Sequence, residues 1–348
     1  MRKTTIQGED NVQKKTGVTM KKTGLTTAFL ASFTLFLHGG PLSPTASQAA
    51  SSEIFPPWSH GRNNPSPDKG IDVTVPDVDN LPDLHGNISH PRLVLYVGGN
   101  YFFAMAPLVK AFEKKYPQIR GGLFYETLPP GLLAKQIAMK GRLTIGNATL
   151  TLPGDVYAAG LKKVRILEAK KLLVGKPVAY ATNDLTIMVP RGNPAGIKGL
   201  ADLGKPGVRL VMPNPAWEGV ARQIKGALEK AGGKKLVEAV YVVKVKNGET
   251  VLTRIHHRQS PMALMRKDAD AGVTWRSEAI FQEQEGHPID HVSIPDSQNV
   301  RAIYAAGLIR GSRHAVWAKR WLAFLESPEA LHVFEHYGFK PVKEKRLK

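Results

Sequence analysis

From Leu93 onward, short runs that are apolar on both faces alternate with stretches of helical period. "LVLYV" (93–97) carries no charged residue, stops at Gly98-Gly99, and gives way to a segment with Leu108, Phe112 and Tyr116 at four-residue spacing, ended by Pro117. A run apolar on both faces is a strand covered on both sides, the usual state of parallel strands in α/β proteins. The order repeats. "GGLFYET" leads into "LPPGLLAKQIAMKG", where proline near the helix start is tolerated because its missing N–H would be unpaired there. "DLTIMVP" and "VRLVMP" read as further strands, parted by "GNPAGIKGLADLGKPG", a loop with a short helix. "NPAWEGVARQIKGALEKAGG" sets Val220, Ile224 and Leu228 on one helical face, with Gly232 beyond its end. "EAVYVVKV" reads as a strand, "SPMALMRKD" as a helix capped by Ser260, and "DADAGVTW" as a strand that stops on Trp275. "AVWAKRWLAFLE" and "SPEALHVFEHYGF" close the chain as helices, the second opening on Ser-Pro with Gly338 near its end. The alternation predicts an α/β fold with parallel sheets.

The chain has 348 residues, 42% of them hydrophobic, enough for one large or two medium domains. Near the start, Lys21 and Lys22 precede an apolar stretch, Leu25 to Leu37, then Pro41, Pro44 and the small-residue run Ser47-Gln48-Ala49. That order is a secretory signal peptide over 1–49, with Met20 a candidate start, and the apolar part is too short to span a bilayer comfortably. No stable membrane insertion is expected once it is cleaved. There is no cysteine, hence no disulfide and no lipoprotein-type attachment. The net charge is +19. In a cytosolic chain that would point to nucleic acid first. Here the basic residues are spread, as in "KKVRILEAKK", and read as a solvated surface, so no nucleic-acid partner is expected. Residues 50–91 are proline-rich without helical period and read as an arm. Within it, Ile71, Val73 and Val75 alternate as in a short edge strand, and "DLHG" (83–86) reads as a turn.

Ligands of open α/β sheets sit beyond the carboxyl ends of strands, where helices begin. Four such passages stand out: Gly98–Tyr101, Thr127–Pro130, Asn214–Glu218 and His256–Ser260. Each offers backbone N–H groups and the positive end of a helix dipole, which suits an anion. Arg258 adds a guanidinium with several donors. His256 and His257 are adjacent, so their side chains diverge; they are weak metal candidates, without the spacing of a paired-histidine site. There is no P-loop, no Gly-x-Ser-x-Gly elbow and no cysteine nucleophile. Glu126, Asp155, Glu218 and Glu278 form no readable acid–base pair, so neither an enzyme nor a cofactor is expected.

Residues 181–232, "DADAGVTWRSEAI" (268–280) and "SPEALHVFEHYGF" together resemble the periplasmic binding proteins for molybdate and related oxyanions, the type II binding proteins. The resemblance implies two α/β lobes joined by two crossover hinge strands. It implies lobe 1 at 92–181 plus 276–342, lobe 2 at 182–275, and a basic tail at 343–348. Trp275 stands where that family commonly carries a cleft-facing tyrosine, and Ser277 would cap the helix that resumes lobe 1. The first loop, "GGNYFF", and the second, "ETLPPG", depart from the family's hydroxyl-rich loops, leaving Asn100, Tyr101 and Thr127 to serve. The expected ligand set is therefore Asn100, Tyr101 and Thr127 from lobe 1 facing Trp217, Arg258 and Trp275 from lobe 2. The implied function is an exported, periplasmic protein that captures a small anion, a molybdate-like oxyanion or small carboxylate, and passes it to a membrane ABC permease. The alternatives are a ligand sensor for a membrane receptor and a periplasmic metal-binding accessory or enzyme.

Overall fold

The computed structural model describes residues 84–145, 148–216, 218–254 and 257–342. The signal peptide, the Ile71–Val75 strand, most of the arm, Trp217, His256 and the basic tail lie outside the described residues.

The chain runs β1 (Leu84–Gly86), β2 (Leu93–Val97), α1 (Phe102–Lys115), β3 (Leu123–Glu126), α2 (Pro130–Ala138), β4 (Arg142–Ile145), β5 (Ala148–Thr151), β6 (Val156–Gly160), α3 (Leu161–Ala169) and β7 (Leu173–Asn183). It continues with β8 (Leu185–Pro190), β9 (Leu210–Met212), α4 (Gly219–Glu238), β10 (Thr250–Leu252), α5 (Ser260–Met265), β11 (Gly272–Trp275), α6 (Arg276–Gln284) and β12 (Ile289–Ser293). It closes with β13 (Ala302–Ile309), α7 (Ala315–Leu325) and α8 (Pro328–His336).

Two sheets carry two lobes. The first is six-stranded in the order β1-β3-β2-β6-β13-β7. In the second, β10-β9 joins β11-β8-β12 through a parallel bridge between Leu210 and Ala271. The two lobes share one plan. In the first, β3, β2 and β6 are parallel and β13 is inserted antiparallel between β6 and β7. In the second, β10, β9 and β11 are parallel and β8 is inserted antiparallel between β11 and β12. Each inserted strand is the first that the chain makes after a crossover, β8 on leaving the first lobe and β13 on returning to it.

The crossovers are therefore the β7–β8 passage at Asp184 and the segment from Ile294 to Arg301 between β12 and β13. This corrects the expected boundary at 275/276. Residues 276–293 belong with the second sheet, because β12 pairs with β8 from Ile289↔Pro190 to Ser293↔Thr186 and α6 packs on β8, β11 and β12. At the first crossover Asp184 accepts from Arg301 Nε at 2.5 Å and from Lys340 Nζ at 2.7 Å, tying the two passages together.

Three local expectations change. "EAVYVVKV" is not a strand: Ala239–Val243 and Lys244–Lys246 are helical turns. Val240 and Tyr241 are buried while Val242 and Val243 are exposed, a pairwise pattern that strand alternation cannot give. "DLHG" is not a free turn, since Leu84–Gly86 pairs antiparallel with β3 and His85 stacks on Tyr125 at 4.5 Å. Gly86 has φ +93, and a Cβ there would lie 2.2 Å from Leu123 O, so the arm's pairing with β3 needs a glycine at this position. Ser260 and Ser277 do not cap; the N-cap positions are Gln259 and Trp275, and neither makes a side-chain cap bond. Ser327, by contrast, accepts from Ala330 N as its Ser-Pro start suggested.

Asp155 lies just before β6, at the amino end of the first sheet and away from the strands' carboxyl ends. It is fully buried and accepts from Val94 N (2.8 Å), Ser312 Oγ (2.6 Å), His314 N (3.1 Å) and His314 Nδ1 (2.9 Å). It fastens β2, β6 and the turn after β13, which explains a buried acid with no part in the cleft.

Candidate functional site

The carboxyl ends of β2 and β3 face those of β10 and β11 across the gap between the lobes. Past β2 the chain makes a 3-10 turn, Gly99–Tyr101; past β3 it runs through Thr127 into α2. From the opposite lobe the β10–α5 loop sends Arg258 across. Its Nη2 donates to Gly99 O at 2.7 Å and to Thr127 O at 3.2 Å, and its guanidinium lies 4.5 Å from the Phe102 ring centre. Arg258 is 7% exposed. Burial pushes its pKa down to about 10, and the carboxylate of Glu278 acts against that shift. Carbonyl acceptors and a nearby acid are what a desolvated cation requires.

Behind this latch runs a band of polar side chains where the lobes meet. The Asn100 amide donates to the Tyr304 hydroxyl on β13. Asn183, at the end of β7, donates to Ser277 Oγ at 2.8 Å and also bonds Tyr304. Thr274 donates to the Glu278 carboxylate. Burial drives the Tyr304 hydroxyl far above its ordinary pKa, so it stays a neutral donor–acceptor.

The expected site residues fall into place unevenly. Asn100, Thr127 and Arg258 come together at the gap. Trp275 is 5% exposed, packs with the second lobe's core and meets Tyr304 edge-on at 6.5 Å. Tyr101 stands behind the first loop instead. Its ring packs on Phe334 and Phe339, and its hydroxyl bonds Tyr180 at 2.6 Å. The turn at Gly99 directs that side chain into the core, so Tyr101 supports the loop. In the third passage, Glu218 accepts from Asn214 N at 2.9 Å and from the Thr253 hydroxyl, so the chain's own acid occupies an N–H expected to face a ligand. Trp217, His256 and the side chain of His257 lie outside the described residues. Among the described residues no group of three or more His, Cys, Asp or Glu could hold a metal ion. Sequence reading missed Asn183, Thr274 and Tyr304.

Residues 93–340, nearly all of the described part, match the family of bacterial extracellular solute-binding proteins. The chain belongs to that family. As a solute-binding protein it is not an enzyme. Among relatives, it is 25% identical to the molybdate-binding protein ModA of Mycobacterium tuberculosis over 240 residues, 68% of this chain and 82% of that one. It is 29% identical to a sulfate-binding protein of Synechococcus elongatus over 167 residues, 46% of this chain and 47% of that protein, so the match spans about half of that relative's length. Among solved structures, the sulfate-binding protein SubI of Mycobacterium tuberculosis superposes with a TM-score of 0.58 at 20% identity, covering 74% of this chain and 88% of that one. The periplasmic molybdate-binding protein of Azotobacter vinelandii gives 0.57 at 16% identity, covering 72% and 100%. The solute-binding protein thus has the two-lobed type II fold with two crossover strands. No described helix is long and apolar enough to cross a membrane.

Proposed function

We propose that this solute-binding protein captures a small oxyanion of the molybdate or sulfate kind between its lobes, outside the cytoplasmic membrane, and hands it to an ABC permease. The observation that carries the reading is Arg258, a buried guanidinium at the meeting point of the strand ends. α2 begins just past Thr127 and α6 packs against the Gly99–Tyr101 turn, so their amino ends add positive potential near Arg258. Asn100, Thr127 and Trp275, with Trp217 from the sequence alone, are the remaining ligand-facing candidates. The names of the relatives support the ligand class, and the charged, apolar, small-residue start of the chain supports export.

Calorimetric titration with molybdate and with sulfate tests the reading. Removing a charged hydrogen-bond partner costs roughly 1.5–3 kcal/mol, about tenfold or more in affinity. Arg258→Ala should therefore bind at least about tenfold more weakly. Arg209→Ala should bind like the parent, because Arg209 pairs with Asp270 at 2.6 Å on an exposed strand start in the second lobe. Equal affinity of the parent and Arg258→Ala would remove Arg258 from the site.

A further inference from the structure

Glu126 is the last residue of β3, fully buried, and outside the polar band described above. Its side chain lies on the face opposite Tyr125, beneath α2. Its Oε1 accepts from Gln136 Nε2 at 3.0 Å. Its Oε2 meets no donor, and Gln136 Oε1 meets none either. An acid and an amide joined by one hydrogen bond, each with a buried acceptor left over, need one more donor. A proton on the carboxyl group supplies it: the O–H donates to the amide oxygen while the amide N–H donates to the carboxyl oxygen. That closes a paired ring and leaves no buried acceptor without a partner.

The surroundings favour the neutral form. From β2 the facing titratable group is Tyr96, whose phenol burial holds far above its ordinary value. From β1 the register partner is the apolar Leu84, and from α2 the facing group is the uncharged Gln136. Asp155 acts on Tyr96 from farther along the sheet and adds only negative potential. Burial raises Glu126 to about 7, with the Gln136 hydrogen bond acting against it. The next residue is Thr127, whose carbonyl accepts from Arg258.

We propose that Glu126 is a positioning residue that holds the second cleft loop as a neutral acid paired with Gln136, so that capture of the anion requires its proton. The inference rests on the oxyanion reading for its binding consequence. Loss of the proton leaves a bare carboxylate in apolar surroundings, facing an amide oxygen. The strain is relieved when the end of β3 and the last turn of α2, which carries Gln136, move apart. That movement draws the Thr127 carbonyl away from Arg258 and loosens the latch. Loaded protein therefore holds the proton more tightly than empty protein, and by linkage affinity falls as the pH rises past neutrality.

The full chain is titrated with sodium molybdate and with sodium sulfate from about pH 5.5 to about pH 8.5, a range in which Arg258 keeps its charge. The parent should lose about tenfold in affinity across it. Glu126→Gln keeps both hydrogen bonds of the ring and has no proton to lose. It should bind at every pH as the parent does at the acid end. Gln136→Leu, which removes the partner, should bind weakly throughout. Parallel pH profiles for the parent and Glu126→Gln would overturn the proposal. Thermal unfolding gives a readout that needs no ligand. With the folded value raised from 4.5 to about 7, the unfolded chain ionises first, so the acid's contribution is whole below 4.5 and is lost as pH rises to about 7. The midpoint of Glu126→Gln should therefore pull ahead of the parent's across that window and hold its lead above it. A constant difference refutes the neutral acid even if neither oxyanion binds, and a widening one sustains it while the ligand class alone fails.

Discussion

Gly99→Ala should bind molybdate or sulfate about a hundredfold more weakly than the parent. A Cβ on Gly99 would lie 2.3 Å from Arg258 Nη2 and 2.5 Å from Thr127 O. The guanidinium could retreat, but the carbonyl belongs to the backbone of the second loop and cannot yield without moving α2. Both atoms that close the latch would be pushed away, so the closed arrangement loses about 2.7 kcal/mol or more to the open one. Gly98→Ala is the control. There the nearest atoms to a Cβ are Pro130 Cγ at 3.3 Å and Asn100 Oδ1 at 3.5 Å, close to ordinary packing. Calorimetry measures the affinities, and small-angle scattering measures closure. The parent and Gly98→Ala should contract on adding ligand, and Gly99→Ala should not. Contraction and parental affinity in Gly99→Ala would show that Arg258 does not need the Gly99 carbonyl.

The largest loss of stability should follow from Asp155→Ala, at about 3–5 kcal/mol. The carboxylate is fully buried, and its removal strands the Val94 and His314 amides, the Ser312 hydroxyl and the His314 ring at once. Urea unfolding should show a lower midpoint at unchanged slope. The site lies at the far end of the first sheet, so the folded fraction should bind its ligand as the parent does. A loss below about 1 kcal/mol would mean that water satisfies these donors and that the carboxylate is not their anchor.

Much of this architecture could be read from the chain. The β2 run is buried at every position, and such a run admits few partners other than a covered parallel sheet. The return crossover could not be read, because a strand that ends on Trp275 and starts a helix looks the same whether or not the chain leaves the lobe. What decides is the next strand, "IDHVS", half-buried and polar at Asp290 and His291, whose partner β8 lies far back in sequence. Valine-rich 239–245 misled for another reason. β-branched residues favour strands only weakly, and packing against β10 and the short helix Leu200–Gly204 fixed a helix instead. In the site, Thr127 and Arg258 were legible because strand ends define the gap. Tyr304 and Asn183 were not, since they come from β13 and from the end of β7, strands of the first sheet away from the loops expected to hold the ligand. Tyr101 shows the limit of position alone: a residue in a 3-10 turn faces the core or the gap according to the turn's phase, which no spacing records.

The inserted strand β13 has a consequence for the order of folding. Among the described strands β7 pairs in its sheet with β13 alone, and β6 reaches it only through β13. β13 is made after the whole of the second lobe. During synthesis or refolding, therefore, the second lobe is the first to hold all of its strands, whereas the first waits with β7 unpaired and β6 paired only to β2 until Ala302–Ile309 arrives. Pairing at such long sequence separation is slow, because the loop must close before any contact rewards it. For any chain that has to be threaded unfolded through a membrane such a delay would be an advantage, since the lobe bearing the earlier strands cannot lock before the second lobe has been made.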